Sequence, residues 1–278
     1  MAQCGSPHTV WSGGIRRLVT GSANDVGAGP TGLPEVPRTK LGSVSDGAQA
    51  VVAARLPGAA ALGLLPPPSA EAVPATCLAD PAWTADLLAA CEPGQGTGDR
   101  RVLATVWWYS ASTVLLTPSL AGLVTGVPLS ARLADTSLWM LAGGLPVAAV
   151  ARAGSRDLGG DLRDSLGAAV AAIAEAGRMK KRPLWAIATD SLANRLLSLG
   201  RALGDVPAVT ALAAPLAAAV GAPLPAPRYV DVGGTRFTRR ASCCLLYRVP
   251  HQPMCISCPR RPPAERRILL EGAARAGA

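Results

Sequence analysis

Residues 157–204 read DLGGDLRDSLGAAVAAIAEAGRMKKRPLWAIATDSLANRLLSLGRALG and contain the two clearest helical patterns of the chain. Apolar residues recur at helical spacing in both halves of the stretch. They are Leu158, Leu162, Leu166, Val170 and Ile173, followed by Leu184, Ile187, Leu192, Leu196, Leu199 and Leu203. Asp157 or Asp161 begins the first predicted helix, Pro183 suits the first turn of the second, and Gly204 suits its end. The stretch predicts a mainly helical protein.

Shorter elements are predicted on both sides of these helices. The predicted helices cover Ala48–Leu65, Pro74–Cys91, Val102–Leu116, Pro118–Val124 and Val206–Leu224, the last with a kink at Pro215. Glycine pairs between apolar arms predict two antiparallel hairpins, around Gly143-Gly144 in Leu138–Arg152 and around Gly233-Gly234 in Tyr229–Phe237. The predicted fold class is therefore α+β, mainly α-helical, with small antiparallel hairpins and a C-terminal cysteine-rich loop.

Composition divides the chain into four segments. Residues 1–47 are rich in Gly, Ser, Pro and Thr without a sustained period, which predicts a poorly ordered leader. A mainly helical body is predicted for residues 48–237, a metal-binding segment for 238–262 and a basic tail for 263–278. The body is expected to form one domain.

The composition also limits the setting and the chemistry. The start of the chain has no basic region followed by an apolar run, so no signal peptide is predicted. The longest apolar stretches are shorter than a membrane span, which predicts a cytoplasmic protein and leaves open a peripheral membrane contact. The chain has two histidines, which argues against a hydrolase triad or a histidine-based metal enzyme. No nucleic-acid partner is predicted.

The strongest chemical signal lies in residues 239–260, RRASCCLLYRVPHQPMCISCPR. Cys243, Cys244, Cys255 and Cys258 follow the pattern CC-x10-C-x2-C, and four thiolates suit zinc or an iron–sulfur cluster. Neighbouring side chains in extended backbone point to opposite faces, so the two adjacent cysteines need a kinked backbone or must each face a different iron. This favours a 2Fe-2S centre, with a structural zinc site as the alternative.

Positive charge is concentrated around these cysteines. The chain has a net charge of +9, and residues 228–278 contain ten Arg against three acidic residues. Arg239, Arg240 and Arg248 flank the cysteines, where they could tune a cluster, contact an anionic substrate or simply be solvated charges.

Several other residues have two interpretations. The aromatic residues could line a substrate pocket, although helical spacing favours the core; they are Trp107, Trp108, Tyr109 and Trp185. His251 could be a ligand or a proton relay, although an exposed loop position is favoured. The other cysteines share no ligand spacing and are predicted to be incidental thiols; they are Cys4, Cys77 and Cys91. Asp190 and Ser191 are assigned no role.

The cysteine segment closely resembles the C-terminal signature of the FhuF-like ferric-siderophore reductases. That signature has an Arg-rich approach, a cysteine pair, a Leu-Tyr-Tyr-Arg-like run, a loop and Cys-x-x-Cys-Pro. The corresponding features here are Leu245-Leu246-Tyr247-Arg248, the loop Val249–Met254 and Pro259. The resemblance extends more weakly from about Ala48 to Arg261, and the departure is His251-Gln252, where many members have small residues.

The resemblance implies a reductase that passes one electron from a 2Fe-2S cluster to Fe(III) in an imported ferric siderophore. The implied ligands are Cys243, Cys244, Cys255 and Cys258. A separate electron donor, a reductase or a ferredoxin, is also implied, since no flavin or nicotinamide site is visible. Two alternatives remain: a siderophore-handling or other binding protein with a structural Cys4 zinc site, and a ferredoxin-like electron carrier.

Overall fold

The computed structural model of the chain describes residues 47–277, which form helices around one small sheet and a separate hairpin. The helices are α1 Gly47–Ala54, α2 Pro81–Gln95, α3 Arg100–Thr125, α4 Leu158–Ala176, α5 Lys181–Leu203, α6 Val206–Ala211, α7 Ala213–Val220 and α8 Pro263–Arg275. The strands are β1 Glu71–Pro74, β2 Thr136–Leu141, β3 Leu145–Ala151, β4 Tyr229–Val232 and β5 Thr235–Thr238. The predicted α+β, mainly helical class is confirmed.

The core forms where α3 packs against α5 on one side and against β3 on the other. Trp108 in α3 is fully buried, and its Nε1 donates to the Leu184 carbonyl at 2.9 Å. Trp107 is also buried, and its Nε1 donates to the Gly144 carbonyl at 2.9 Å. Both indoles therefore contribute to the core and join α3 to its two neighbours, and neither lines a substrate pocket.

Both predicted hairpins are present. Strands β1, β2 and β3 form an antiparallel sheet in that order, and β4 pairs with β5. Gly143 and Gly144 have φ values of +77° and +75°, a backbone region that residues with a Cβ rarely adopt. The buried Gln49 side chain attaches α1 to the sheet, because its amide donates to the Ala149 carbonyl and accepts from the Ala151 amide.

The two central helices have the predicted ends. The Asp157 carboxylate accepts from the Gly160 amide at 2.9 Å before α4, as expected for a helix N-cap. Pro183 lies in the first turn of α5, and Gly204 ends that helix with φ +73°. These signals are local, which is why the sequence alone was enough to place them.

Five helix predictions were wrong in their limits. The predicted helices Val102–Leu116 and Pro118–Val124 are one helix, α3, because Leu116 and Leu120 on either side of Pro118 are fully buried and hold the helix together. The helix predicted from Pro74 begins instead at Pro81, where Asp80 accepts from two amides, and residues 71–74 form β1.

The remaining errors lie at the two ends of the body. The helix predicted for Ala48–Leu65 ends at Ala54, and turns follow to Leu65. The helix predicted for Val206–Leu224 is divided at Leu212 into α6 and α7, three residues before the predicted kink. Short Ala-rich segments carry little information about their own ends, so packing decides them.

The tail segment contains a helix, α8, and no helix within residues 47–277 combines the length and hydrophobicity needed to cross a bilayer. The predicted leader lies outside the described residues except for Gly47. The division of the chain into four segments stays a prediction.

A substitution at Gly122 in α3 tests how closely this helix packs against the backbone of residues 127 and 129. A Cβ on Gly122 would lie 2.6 Å from the Val127 carbonyl oxygen and 2.8 Å from the Leu129 amide nitrogen. We expect Gly122→Ala to lower the free energy of unfolding by about 1–3 kcal/mol, because backbone atoms must move. Gly272→Ala in α8 has open space and should raise it by about 0.5–1 kcal/mol. Urea unfolding would measure both, and equal effects would contradict the packing described.

Candidate metal centre

The cysteine segment follows β5 directly and lies on the first turns of α3. Leu245 and Val249 pack against Val102 and Val106 of that helix in a small apolar cluster separate from the main core. Arg248 lies 3.7 Å from Asp99, which caps the start of α3. The loop between the two cysteine pairs is therefore attached to the body by apolar contacts.

The four thiols are brought together as two pairs. The sulfur atoms of Cys243 and Cys258 are 3.9 Å apart, and those of Cys244 and Cys255 both lie within 3.6 Å of the same atom, Arg240 Nη1. Two thiolates on one tetrahedral metal with bonds of about 2.3 Å are about 3.8 Å apart. Each pair joins one residue of the adjacent cysteines to one residue of Cys-x-x-Cys.

The backbone after the cysteine pair makes this arrangement possible. Leu245 has φ +60°, a left-handed conformation that is uncommon for a residue with a Cβ. The chain turns there, and the apolar contacts of Leu245 with α3 hold the turn in place. Two adjacent cysteines can both be ligands only if the backbone is kinked at Cys243-Cys244 or if each faces a different iron. The structure has a turn immediately after the two cysteines and a different partner for each.

A carboxylate on α5 holds the approach to the cysteines. Asp190 is 1% exposed, and its Oδ1 accepts from the Ala241 amide at 2.7 Å. Its Oδ2 accepts from the Ser242 amide at 3.1 Å, the Ser242 hydroxyl at 2.8 Å and the Arg240 Nε at 3.4 Å. Four donors from three consecutive residues therefore converge on one carboxylate.

Arg240 connects this carboxylate to the thiols. Its Nη1 lies 3.6 Å from the Cys244 sulfur and 3.4 Å from the Cys255 sulfur. Its guanidinium lies 4.7 Å from the centroid of the Tyr109 ring, and the Tyr109 hydroxyl accepts from Asn194. The other nitrogen, Nη2, is buried and has no hydrogen-bond partner in the described residues.

Two arginines from the C-terminal side brace the Cys-x-x-Cys turn. Arg261 donates from Nε to the Cys255 carbonyl at 2.9 Å and from Nη2 to the Met254 carbonyl at 2.6 Å. Arg266 in α8 donates to the Cys258 carbonyl at 3.3 Å. The basic segment at the end of the chain thus has a structural role here, in addition to the positive charge that the sequence indicated.

Each thiol pair has one buried and one partly exposed member. Cys244 is 3% exposed and Cys258 is 2% exposed, whereas Cys243 and Cys255 are partly exposed. In each pair, therefore, one thiol is partly accessible to solvent and the other is covered by the body. A centre held here would be accessible to another molecule at its outer side.

The thiols differ in the charge they favour. The hydrogen bond from Cys255, together with the charge of Arg240, lowers the pKa of Cys244 to about 5. The same hydrogen bond and burial raise the pKa of Cys255, and burial raises the pKa of Cys243 to about 11. Burial raises the pKa of Asp190, although Arg240 and the two amides oppose the rise. The environment already favours one thiolate, the form in which cysteine binds metals.

The other residues singled out from the sequence lie outside this cage. Arg239 and Arg248 are exposed, so of the three arginines predicted to act near the cysteines only Arg240 reaches a sulfur atom in the described residues. His251 is exposed in the loop with φ +61°. Cys77 and Cys91 lie elsewhere in the body, and Trp185 is buried.

Sequence reasoning missed Asp190, although one signal was present. Asp190 lies three residues after the buried Ile187, on the side of α5 that faces the body. A charged residue at an otherwise apolar helical position is rarely buried without a partner, so its position predicted a buried cation. Which cation that would be depends on the tertiary contact with residue 240.

A comparison with models of protein families agrees with a metal centre at the four cysteines. Residues 240–260 match the family model of the FhuF 2Fe-2S C-terminal domain. The segment 240–260 is thus similar to an FhuF-type 2Fe-2S domain. The match supports the FhuF-like assignment and a 2Fe-2S cluster as the cofactor. It starts at Arg240 and includes all four cysteines, while the weaker resemblance from Ala48 stays a prediction. No curated protein matches the chain.

The donor set fits such a cluster. Two irons each need two protein ligands, and the FhuF-type segment presents two thiol pairs. Arg240 Nη1 provides a donor beside the thiols, close to two of the four sulfur atoms.

Proposed function

We propose that the chain is a cytoplasmic ferric-siderophore reductase whose 2Fe-2S cluster is held by Cys243, Cys244, Cys255 and Cys258. The observation that carries the proposal is the pairing of these thiols in a segment that matches the FhuF 2Fe-2S domain. A 2Fe-2S cluster, when bound, supplies one-electron chemistry. The substrate Fe(III) gains one electron and becomes Fe(II), and a separate reductase or ferredoxin supplies that electron.

The chemistry of the substrate is consistent with this proposal. The hard oxygen donors of a siderophore bind Fe(III) much more strongly than Fe(II), so a one-electron reduction is enough to release the metal. The reaction needs no nucleophile or proton-transfer residue, and the site has thiols, one buried cation and one buried carboxylate instead. The protein residues have to hold the cofactor, exclude water from its inner side and leave its outer side accessible.

The surface around the site supports an anionic substrate. Arg248 has a side chain that is 51% exposed, and Arg260 is exposed with its guanidinium 5.7 Å from the Tyr247 ring centroid. Both lie in the cysteine segment, Arg248 five residues after the partly exposed Cys243 and Arg260 five residues after the partly exposed Cys255. Positive charge beside an accessible redox centre increases the encounter rate with an anionic ferric chelate or with an acidic electron donor. A peripheral membrane contact stays a prediction.

Single-turnover reduction tests the function directly. The protein is reduced anaerobically with dithionite, separated from the reductant and mixed with ferric hydroxamate or catecholate chelates in the presence of a ferrous-specific chelator. We expect up to one Fe(II) per chain, because one cluster stores one electron. The same procedure with Cys244→Ser protein is the control and should yield no Fe(II) above background.

The outcome separates this function from the alternatives. A reduced protein that passes its electron to a ferredoxin-type acceptor but to none of the ferric chelates would be an electron carrier. A colourless protein with one zinc per chain and no labile sulfide would contradict both functions and the cofactor.

A further inference from the structure

Arg240 is placed to act on the cofactor as well as on the fold. Its side chain is 2% exposed, and its Nη1 contacts the sulfur atoms of Cys244 and Cys255, one buried and one partly exposed thiol of the same pair. The buried Nη2 has no partner among the described residues, although an unpaired buried donor is costly.

The position of Arg240 is fixed from three directions. Asp190 accepts from its Nε, the Tyr109 ring lies under its guanidinium plane, and the thiols lie at its Nη1. A buried arginine so held has little freedom to move away when the charge of a neighbouring centre changes. The pairing of Arg240 with Asp190 also explains how a charged side chain is tolerated in this position.

We propose that Arg240, held in place by Asp190, donates hydrogen bonds to the sulfur atoms of the bound cluster and so raises the reduction potential of the cluster. This inference rests on the proposed ligand set. Reduction adds one negative charge to the centre, and a fixed cation with N–H donors stabilises that charge more than it stabilises the oxidised centre. A higher potential makes the cluster easier to reduce by a cellular donor.

The test is a redox titration of anaerobically purified protein, followed by visible absorption and electron paramagnetic resonance, for wild type, Arg240→Gln, Arg240→Lys and Arg239→Gln. Arg239→Gln is the matched control, because it removes the same charge one residue earlier from an exposed side chain. We expect Arg240→Gln to lower the equilibrium constant for reduction about tenfold, which is about 59 mV for one electron. Arg239→Gln should give a much smaller shift, because solvent screens the exposed charge.

Arg240→Lys separates charge from hydrogen bonding. Lysine keeps the positive charge but lacks the planar fork that contacts two sulfur atoms and Asp190 together, so its potential should lie between those of wild type and Arg240→Gln. Equal potentials in Arg240→Gln and Arg239→Gln, with unchanged resonance spectra, would overturn the proposal. If Arg240→Gln purifies without iron, the Arg240→Lys protein decides: a wild-type potential overturns the proposal, and a lowered one supports it.

The readout keeps this inference separate from the proposed function. The reduction potential and the resonance spectra do not depend on the electron acceptor. A wild-type protein that reduces no ferric chelate would therefore contradict the reductase function and leave the inference about Arg240 unaffected. Conversely, an unchanged potential in Arg240→Gln would leave the reductase function standing.

Discussion

Cys244→Ser is expected to abolish the 2Fe-2S cluster. Serine is a hard donor whose hydroxyl stays protonated at neutral pH, so one iron of the cluster would lose a thiolate. Cys244 is also the deepest thiol of its pair and the one that its surroundings favour as a thiolate, with a pKa of about 5. We expect the iron and labile sulfide contents of the purified protein to fall to background.

The measurement combines iron and sulfide analysis with electron paramagnetic resonance of the dithionite-reduced protein at low temperature. Wild type should give a spin-half signal and two irons per chain. The same loss is expected for serine at the other three positions, Cys243, Cys255 and Cys258. Cys77→Ser is the control and should retain the signal, because Cys77 lies in a short 3-10 helix before α2, outside the segment that holds the four cysteines. A fully loaded cluster in Cys244→Ser would show that the ligand set is wrong.

Asp190→Asn is expected to destabilise the whole protein, although Asp190 contacts no metal ligand directly through its side chain. The Asp190 and Arg240 side chains are 1% and 2% exposed, so removing the carboxylate charge leaves a buried guanidinium without a counterion. Removing one partner of a buried ion pair lowers the free energy of unfolding by about 3–5 kcal/mol. Asparagine also replaces one acceptor oxygen with an NH2 group, although four donors converge on the carboxylate.

Urea unfolding of the anaerobically purified protein measures the effect. Asp231→Asn is the matched control, because Asp231 pairs with Arg236 at the surface and its side chain is 57% exposed. That substitution should cost no more than about 1 kcal/mol. The double variant Asp190→Asn/Arg240→Gln should recover much of the lost stability, since it removes the uncompensated charge as well. An Asp190→Asn protein that unfolds at the wild-type urea concentration would contradict this account.

Together, the two results would distinguish the residues that bind the cluster from the residue that holds them in position. The cysteines are expected to decide whether the cluster binds, and Asp190 whether residues 240–242 hold the shape that places the first two cysteines. Since Asp190 lies in the middle of α5, the site is built on the helix that packs against α3 in the core. This arrangement keeps the partly exposed cysteine segment in a fixed position relative to the core.

Features whose signals are local could be predicted from the order of the amino acids. The caps at Asp157 and Gly204 placed α4 and α5, and the glycine pairs at 143–144 and 233–234 placed both hairpins. The cysteine spacing indicated the cofactor that the FhuF 2Fe-2S match supports. Each of these depends on residues a few positions apart, so no tertiary contact is needed to interpret them.

Features that depend on distant residues could be recognised only in the folded chain. The continuity of α3 through Pro118 follows from burial on both sides, and the division of residues 206–220 into two helices follows from packing. The pairing of Cys243 with Cys258 and of Cys244 with Cys255 needs the left-handed turn at Leu245 and its contact with α3. Asp190 acquires its role only because folding brings it to Arg240, fifty residues later in the chain. A charge that is costly alone in a core is stable there because a partner from another element meets it.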